Sequence, residues 1–172
     1  MAEKKMDIYV TWDPAAEGIT ERSLRMLRTA LVAAYRRPTA IVEVPTSDGT
    51  CGFLVVIRRP ADPRAGSCPN LMGFPERIQL EAVWSGDGFR ADGGGEGGRG
   101  MQAAAALLRI FGISWRVILG EPWLYEHKAF AGLDDAQLTE NKFQALHDMA
   151  AEAAAGLSDE AFAVPADLKP GY

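Results

Sequence analysis

Residues 39–59, TAIVEVPTSDGTCGFLVVIRR, hold two apolar runs joined by a turn, and the fold is decided by how they are read. Asp48-Gly49 stands at the tip. An Asp-Gly pair between strand-like runs is a strong hairpin signal, because both central residues of the tightest turns need positive φ. The second run, Gly52 to Ile57, is apolar on both alternating faces, so it belongs in the middle of a sheet covered on both sides. The rest of the chain reads as cover for that strand.

Working backward, residues 7–12 form a short strand that Trp12-Asp13-Pro14 ends, since proline cannot donate to a ladder. Thr20 is a candidate N-cap for a helix reaching Arg37, which Pro38 stops. Leu24, Leu27, Leu31, Ala34 and Tyr35 repeat at helical spacing and mark its buried face. Arg22, Arg25, Arg28, Arg36 and Arg37 lie mostly elsewhere on its surface.

Working forward, residues 60–75 contain four prolines and read as an irregular loop, with Leu71, Met72 and Phe74 expected to dock on the core. Residues 76–84 alternate, with Ile78, Leu80, Ala82 and Trp84 set against Arg77, Gln79, Glu81 and Val83, as in a half-buried strand. Residues 86–100 follow, eight of the fifteen being glycine, and read as a flexible loop. That loop opens onto a helix at 101–111. A strand at 114–119, the aromatic run 121–130 and a long helix capped by Asp135 or Thr139 and reaching Ala155 complete the chain, before a tail at 157–172.

The expectation is a single α+β domain, with a mostly antiparallel sheet of about five strands in the order β-α-β-β-β-α-β-α and helices packed on it. The length of 172 residues, the apolar fraction of 48% and the charged fraction of 24% fit one soluble globular domain. No apolar run approaches the roughly 20 residues of a membrane span. The lysines and short apolar run at the N-terminus make a strand and no signal peptide. Cys51 and Cys68 are too few for a disulfide framework, although one bridge between them stays open, and a cytoplasmic setting is the simplest reading.

The net charge of −5 is unevenly placed. From residue 131 onward eight acids face Lys142 and Lys169, a local net of −6, which leaves +1 for the first 130 residues. Without a strong basic field, nucleic acid is a poor default partner. An acidic face suits a basic protein partner. The arginine and alanine usage is of the kind met in bacterial and phage proteins.

Chemistry is weakly signalled. Glycines ahead of a helix turn N–H groups toward an anion, so Arg90, Gly93, Gly95, Gly98, Arg99 and Gly100 are the candidates for binding a phosphate-bearing cofactor. Residues 93–98 satisfy G-x-G-x-x-G, a match that is nearly automatic in so glycine-dense a stretch, and no GK[ST] follows. The element order and the R-x-x-G-x-G form of Arg90-Ala91-Asp92-Gly93-Gly94-Gly95 resemble the acyl-CoA-dependent N-acetyltransferases, and Leu124-Tyr125-Glu126 is similar to their late LYE segment. That resemblance implies an acyl-CoA transferase as the alternative function. It covers two short motifs, and the glycine run lies several residues farther from the expected helix than in that family. The helix-strand-strand-strand-helix-strand order also resembles the PD-(D/E)xK nucleases, whose chemistry needs carboxylates and a lysine around a metal. Glu81-Ala82-Val83 lacks that lysine, and Glu126-His127-Lys128 follows the last strand.

His127 and His147 have no ligand or triad partner at a recognised spacing, so no catalytic residue, metal or bound cofactor is expected. The stretch richest in interface residues is 123–128, where Trp123, Tyr125, Glu126 and His127 combine aromatic rings with flanking charge. With Asp134, Asp135 and Glu140 they form the expected contact set. The leading expectation is thus a protein-binding module, for instance a bacterial or phage immunity protein or inhibitor that neutralises a toxin or an enzyme. A subunit of a larger assembly, including a homo-oligomer, is the other alternative.

Overall fold

A computed structural model of the chain describes residues 5–35, 37, 39–45, 49–59, 77–112, 116–117 and 135–155. Among the described residues ten elements run in the order β1 (Lys5–Thr11), a 3-10 turn (Pro14–Ala16), α1 (Thr20–Ala34), β2 (Thr39–Pro45), β3 (Thr50–Arg58), β4 (Arg77–Trp84), β5 (Phe89–Arg90), α2 (Gly95–Ile110), β6 (Arg116–Val117) and α3 (Asp135–Ala155). The strands form one sheet in the order β1-β4-β3-β2-β6, with the short β5 also paired to β3.

β3 is the central strand that its composition requires. Phe53, Leu54, Val55, Val56 and Ile57 are fully buried, and their alternating side chains feed two separate cores. One core joins Phe53, Val55 and Ile57 to Leu27 and Leu31 of α1 and Leu108 of α2. The other joins Leu54 and Val56 to Trp84, Leu80 and, from α3, Leu146 and Ala150. Helices therefore cover both faces, α1 and α2 on one and α3 on the other. At the hairpin tip Gly49 has φ 77°, as the turn requires, while Asp48 lies outside the described residues.

The sheet is mixed, which corrects the expectation of a mostly antiparallel one. β2, β3 and β4 are antiparallel neighbours, but β1 runs parallel to β4 and β6 parallel to β2. The reason is in the connections. α1 separates β1 from β2 and α2 separates β4 from β6, and a crossover through a helix returns the chain for parallel pairing, whereas only a short turn permits a hairpin.

The glycine-rich stretch also departs from its expected loop. α2 begins at Gly95, six residues before the expected start at Met101, so the loop covers only the first part of 86–100 and β5 lies within it. Glycine is a poor helix former, costing about 1 kcal/mol relative to alanine. Tertiary packing overrides that preference here, because a Cβ on Gly98 would strike the backbone of Gly93 and one on Gly100 would strike the Thr20 methyl. The first turn of α2 is glycine so that it can lie against its own entry turn and against α1.

Two helix ends differ from their periodicity. α1 stops at Ala34, so Tyr35 is 45% exposed, and Thr20 caps nothing; its hydroxyl donates to the Gly88 carbonyl at 2.7 Å. On α3, Leu146 and Ala153 are buried, whereas Phe143, at the helical spacing of that buried face, remains 37% exposed. The proline-rich loop at 60–75 and the tail at 157–172 lie outside the described residues.

Candidate functional site

The sheet's antiparallel ladder breaks between β4 and β5, and that break builds a polar junction. Gly52 of β3 has no side chain, and the Trp84 ring and the Gly86 carbonyl occupy the position a Cβ would need. Ser85 restores the lost rung: its N–H donates to the Phe53 carbonyl at 3.0 Å, and its hydroxyl accepts from the Phe53 N–H at 2.9 Å. The chain then bends through Gly86, with φ 92°, and presents Asp87 to the corner that follows β1. Buried Ser23 ties the two segments, donating to the Ala16 carbonyl and accepting from the Gly88 N–H.

Glu17 stands at the centre. Its Oε1 accepts from the indole N–H groups of both Trp12 and Trp84, each at 2.7 Å, and its Oε2 accepts from the Asp87 N–H at 3.2 Å. Asp87 Oδ1 in turn accepts from the Gly18 N–H at 2.6 Å. Burial, with the adjoining Asp87 carboxyl as second cause, pushes the Glu17 carboxyl up to about 7, against the opposing pull of the two indoles. Lys142 of α3 reaches across, its ammonium 4.8 Å from the centroid of the Trp12 ring. Burial holds the Lys142 ammonium below its ordinary value, although the charges of Glu17 and Asp87 oppose that shift. The Phe143 ring meets Trp12 edge-on at 5.4 Å.

A carboxyl that exchanges its proton near neutrality has the first property of a general acid or base. Here, however, its oxygens are turned to N–H donors of the chain itself. The arrangement works as a joint: one titratable group fastens the end of β1, the end of β4 and, through Trp12, the near end of α3. None of Trp12, Glu17, Trp84, Asp87 or Lys142 stands out in the sequence as a site residue. The available signal is that two tryptophans ending strands each need an acceptor for a buried indole N–H.

The glycine turn is occupied from within. Arg90 donates to Asp92 through Nε at 3.2 Å and Nη2 at 2.8 Å, and the Gly94 N–H donates to the same carboxylate at 2.9 Å. Asp92 therefore sits where the N-terminus of α2 would receive an anion, held down to about 2 first by the Arg90 hydrogen bond and then by Gly94. Gly93 and Gly95 supply the positive φ angles of this turn, Gly98 and Gly100 are packing positions, and Arg99 is exposed. Of the residues expected to hold a cofactor phosphate, Arg90 is thus paired with the carboxylate of Asp92.

Glu81, placed in the strand compared with the nucleases, accepts from Arg59 Nε at 2.7 Å, while the Arg59 guanidinium lies 4.6 Å from the centroid of the Tyr9 ring. Cys51 is a buried thiol pushed up to about 12, first by burial and then by Glu43, so it has no thiolate character at neutral pH. Cys68 lies outside the described residues, as do Trp123, Tyr125, Glu126, His127 and Asp134. Asp135 opens α3, and Glu140 is exposed on it.

The described part of α3 has a divided surface. Leu146 and Ala150 face the sheet, and Lys142 is swung onto Trp12. Glu140, Asp148 and Glu152 remain exposed, and Asp148 accepts from the Gln144 side chain at 2.8 Å. Among the described residues no group of three or more His, Cys, Asp or Glu side chains converges as a metal site, and no helix is long and apolar enough to cross a membrane. Compared with known proteins, the chain matches no family model, no curated protein and no solved structure.

Proposed function

We propose that the protein acts by binding another protein, in the manner of an immunity protein or inhibitor that neutralises a toxin or an enzyme, and that α3 presents the contact face to a basic partner. The observation that carries this reading is the position of Lys142. It is the one lysine or arginine of α3, and it is drawn onto the Trp12 ring. The exposed charges left on the described outer face, Glu140, Asp148 and Glu152, are then all acidic.

A uniform acidic face on a rigid helix attracts and orients a basic surface, raising the encounter rate more than the final affinity. The junction at Glu17 supports this role by holding the near end of α3 to the sheet through Trp12. The test is comparative capture from extracts of cells that express the protein, using the immobilised wild type and E140K/D148K/E152K. The expected result is a basic protein retained by the wild type, lost with the variant and released by salt. Equal retention of the same proteins by both forms would overturn the reading.

A further inference from the structure

We propose that the acidic face of α3 also receives a second copy of this chain, which offers the patch where α1 and α2 end side by side; this inference rests on the reading of α3 as the contact face. Tyr35 and Phe111 meet edge-on at that end, with ring centroids 6.4 Å apart. Beside them Val32 is 59% exposed and Ile110 76% exposed, so an apolar surface crosses from one helix to the other. Its charged rim is basic. Arg28 and Arg109 are exposed there, whereas Glu21 and Glu96 belong to the first turns, at the opposite ends of the two helices. Arginine and aromatic side chains around an apolar centre are what interface cores favour.

Charge decides which surface this patch meets. Two copies related by a two-fold axis through the patch would bring four rim arginines to one seam, an excess of like charge that works against association. The outer face of α3 has the complementary charge, with Glu140, Asp148 and Glu152 exposed on it. Because α3 covers the opposite side of the sheet from α1 and α2, the contact is heterologous. Copies therefore join head to tail, as a ring if the rotation closes and as an open chain if it does not.

The experiment is sedimentation of the full chain over a concentration series at about 50 mM and about 500 mM salt, which moves the screening length from above 10 Å to a few ångström. The wild type is compared with R28E/R109E, with E140K/D148K/E152K, and with an equimolar mixture of the two. All five substituted positions are exposed, and circular dichroism verifies that each variant is folded. The expected result is association of the wild type that grows with concentration and disappears at high salt. Each variant alone stays monomeric, and the mixture associates again because one variant keeps the intact α3 face and the other the intact patch. A wild type that is monomeric throughout overturns the inference, as does a complex that survives in either variant alone or a mixture that stays monomeric. If the wild type is monomeric while α3 charge reversal still abolishes capture of a different protein, the α3 reading stands and only the self-association is wrong.

Discussion

The two sides of the sheet are closed by different means. Toward α1 and α2 the seal is apolar: Phe53, Val55, Ile57 and Phe89 meet Leu27, Leu31 and Leu108, with Ala30, Ala34 and Ala104 letting the helices lie close. Toward α3 the same central strand meets Trp84, Leu146 and Ala150, but the near end of that side is a polar joint of one glutamate, two indoles and a lysine over an aromatic face. The difference has an energetic meaning. Apolar burial hardly responds to pH, whereas a joint built on a titrating carboxyl does. The α3 side is therefore the one whose stability is expected to respond to pH, and α3 is also the helix with Glu140, Asp148 and Glu152 exposed.

The largest effect is expected from Phe53→Ala, which opens a cavity on the α1 and α2 side and lowers unfolding free energy by about 3 to 5 kcal/mol. Urea denaturation measures it, and a loss below 1 kcal/mol would show that this seal is not the principal one. Next is Gly52→Ala, expected to cost about 1 to 3 kcal/mol by overpacking. The new methyl would meet the Gly86 carbonyl and the Trp84 ring, neither of them a flexible side-chain end, so this change probes whether the break between β4 and β5 is fixed by close approach.

The joint itself is tested through pH. Glu17 is raised from 4.5 to about 7 in the folded protein, so the folded state holds a proton that the unfolded state has released. Stability contributed by that proton is fully present below about pH 4.5 and is lost as pH rises to about 7. At roughly 1.4 kcal/mol per pKa unit the fall across that window is about 3 kcal/mol before solvent screening, which reduces it to on the order of 2 kcal/mol. Denaturation midpoints at successive pH values record it, and Glu17→Gln should flatten the profile. An equally steep profile in the variant would assign the slope to another group. Trp84→Phe keeps the ring and deletes one N–H donor, at a cost of about 1 kcal/mol. It should also move the transition to higher pH, because a donor that favours the carboxylate is gone.

Much of the fold was legible because its signals are local. The two-sided apolar run of β3, the alternation of β4 and the helical spacing of Leu27, Leu31 and Ala34 each announce their element within a few residues. The parallel pairing of β1 with β4 was not legible, since Ile8 and Leu80 meet across more than seventy residues and nothing in either segment names the other. The start of α2 was hidden for a related reason. Propensity alone stops a helix at its glycines, and only the nearness of Gly93 and Thr20 explains why Gly98 and Gly100 are there. Tyr35 and Phe143 follow the helical period, yet each is left partly exposed by what surrounds it. The joint at Glu17 draws residues 12, 17, 84, 87 and 142 from three separate stretches, so no single window contains it.

The smallest expected effect on stability is that of E140K, D148K and E152K, each within about 0.5 kcal/mol, because these side chains touch no core. That near-neutrality makes them the sharpest probe of function. The most direct measurement is the association rate of a captured basic partner with the wild type and with E140K/D148K/E152K, taken across ionic strength. The account predicts a wild-type rate that falls steeply with salt and a slower variant rate that is nearly flat. Equal rates with the same weak salt dependence would contradict it.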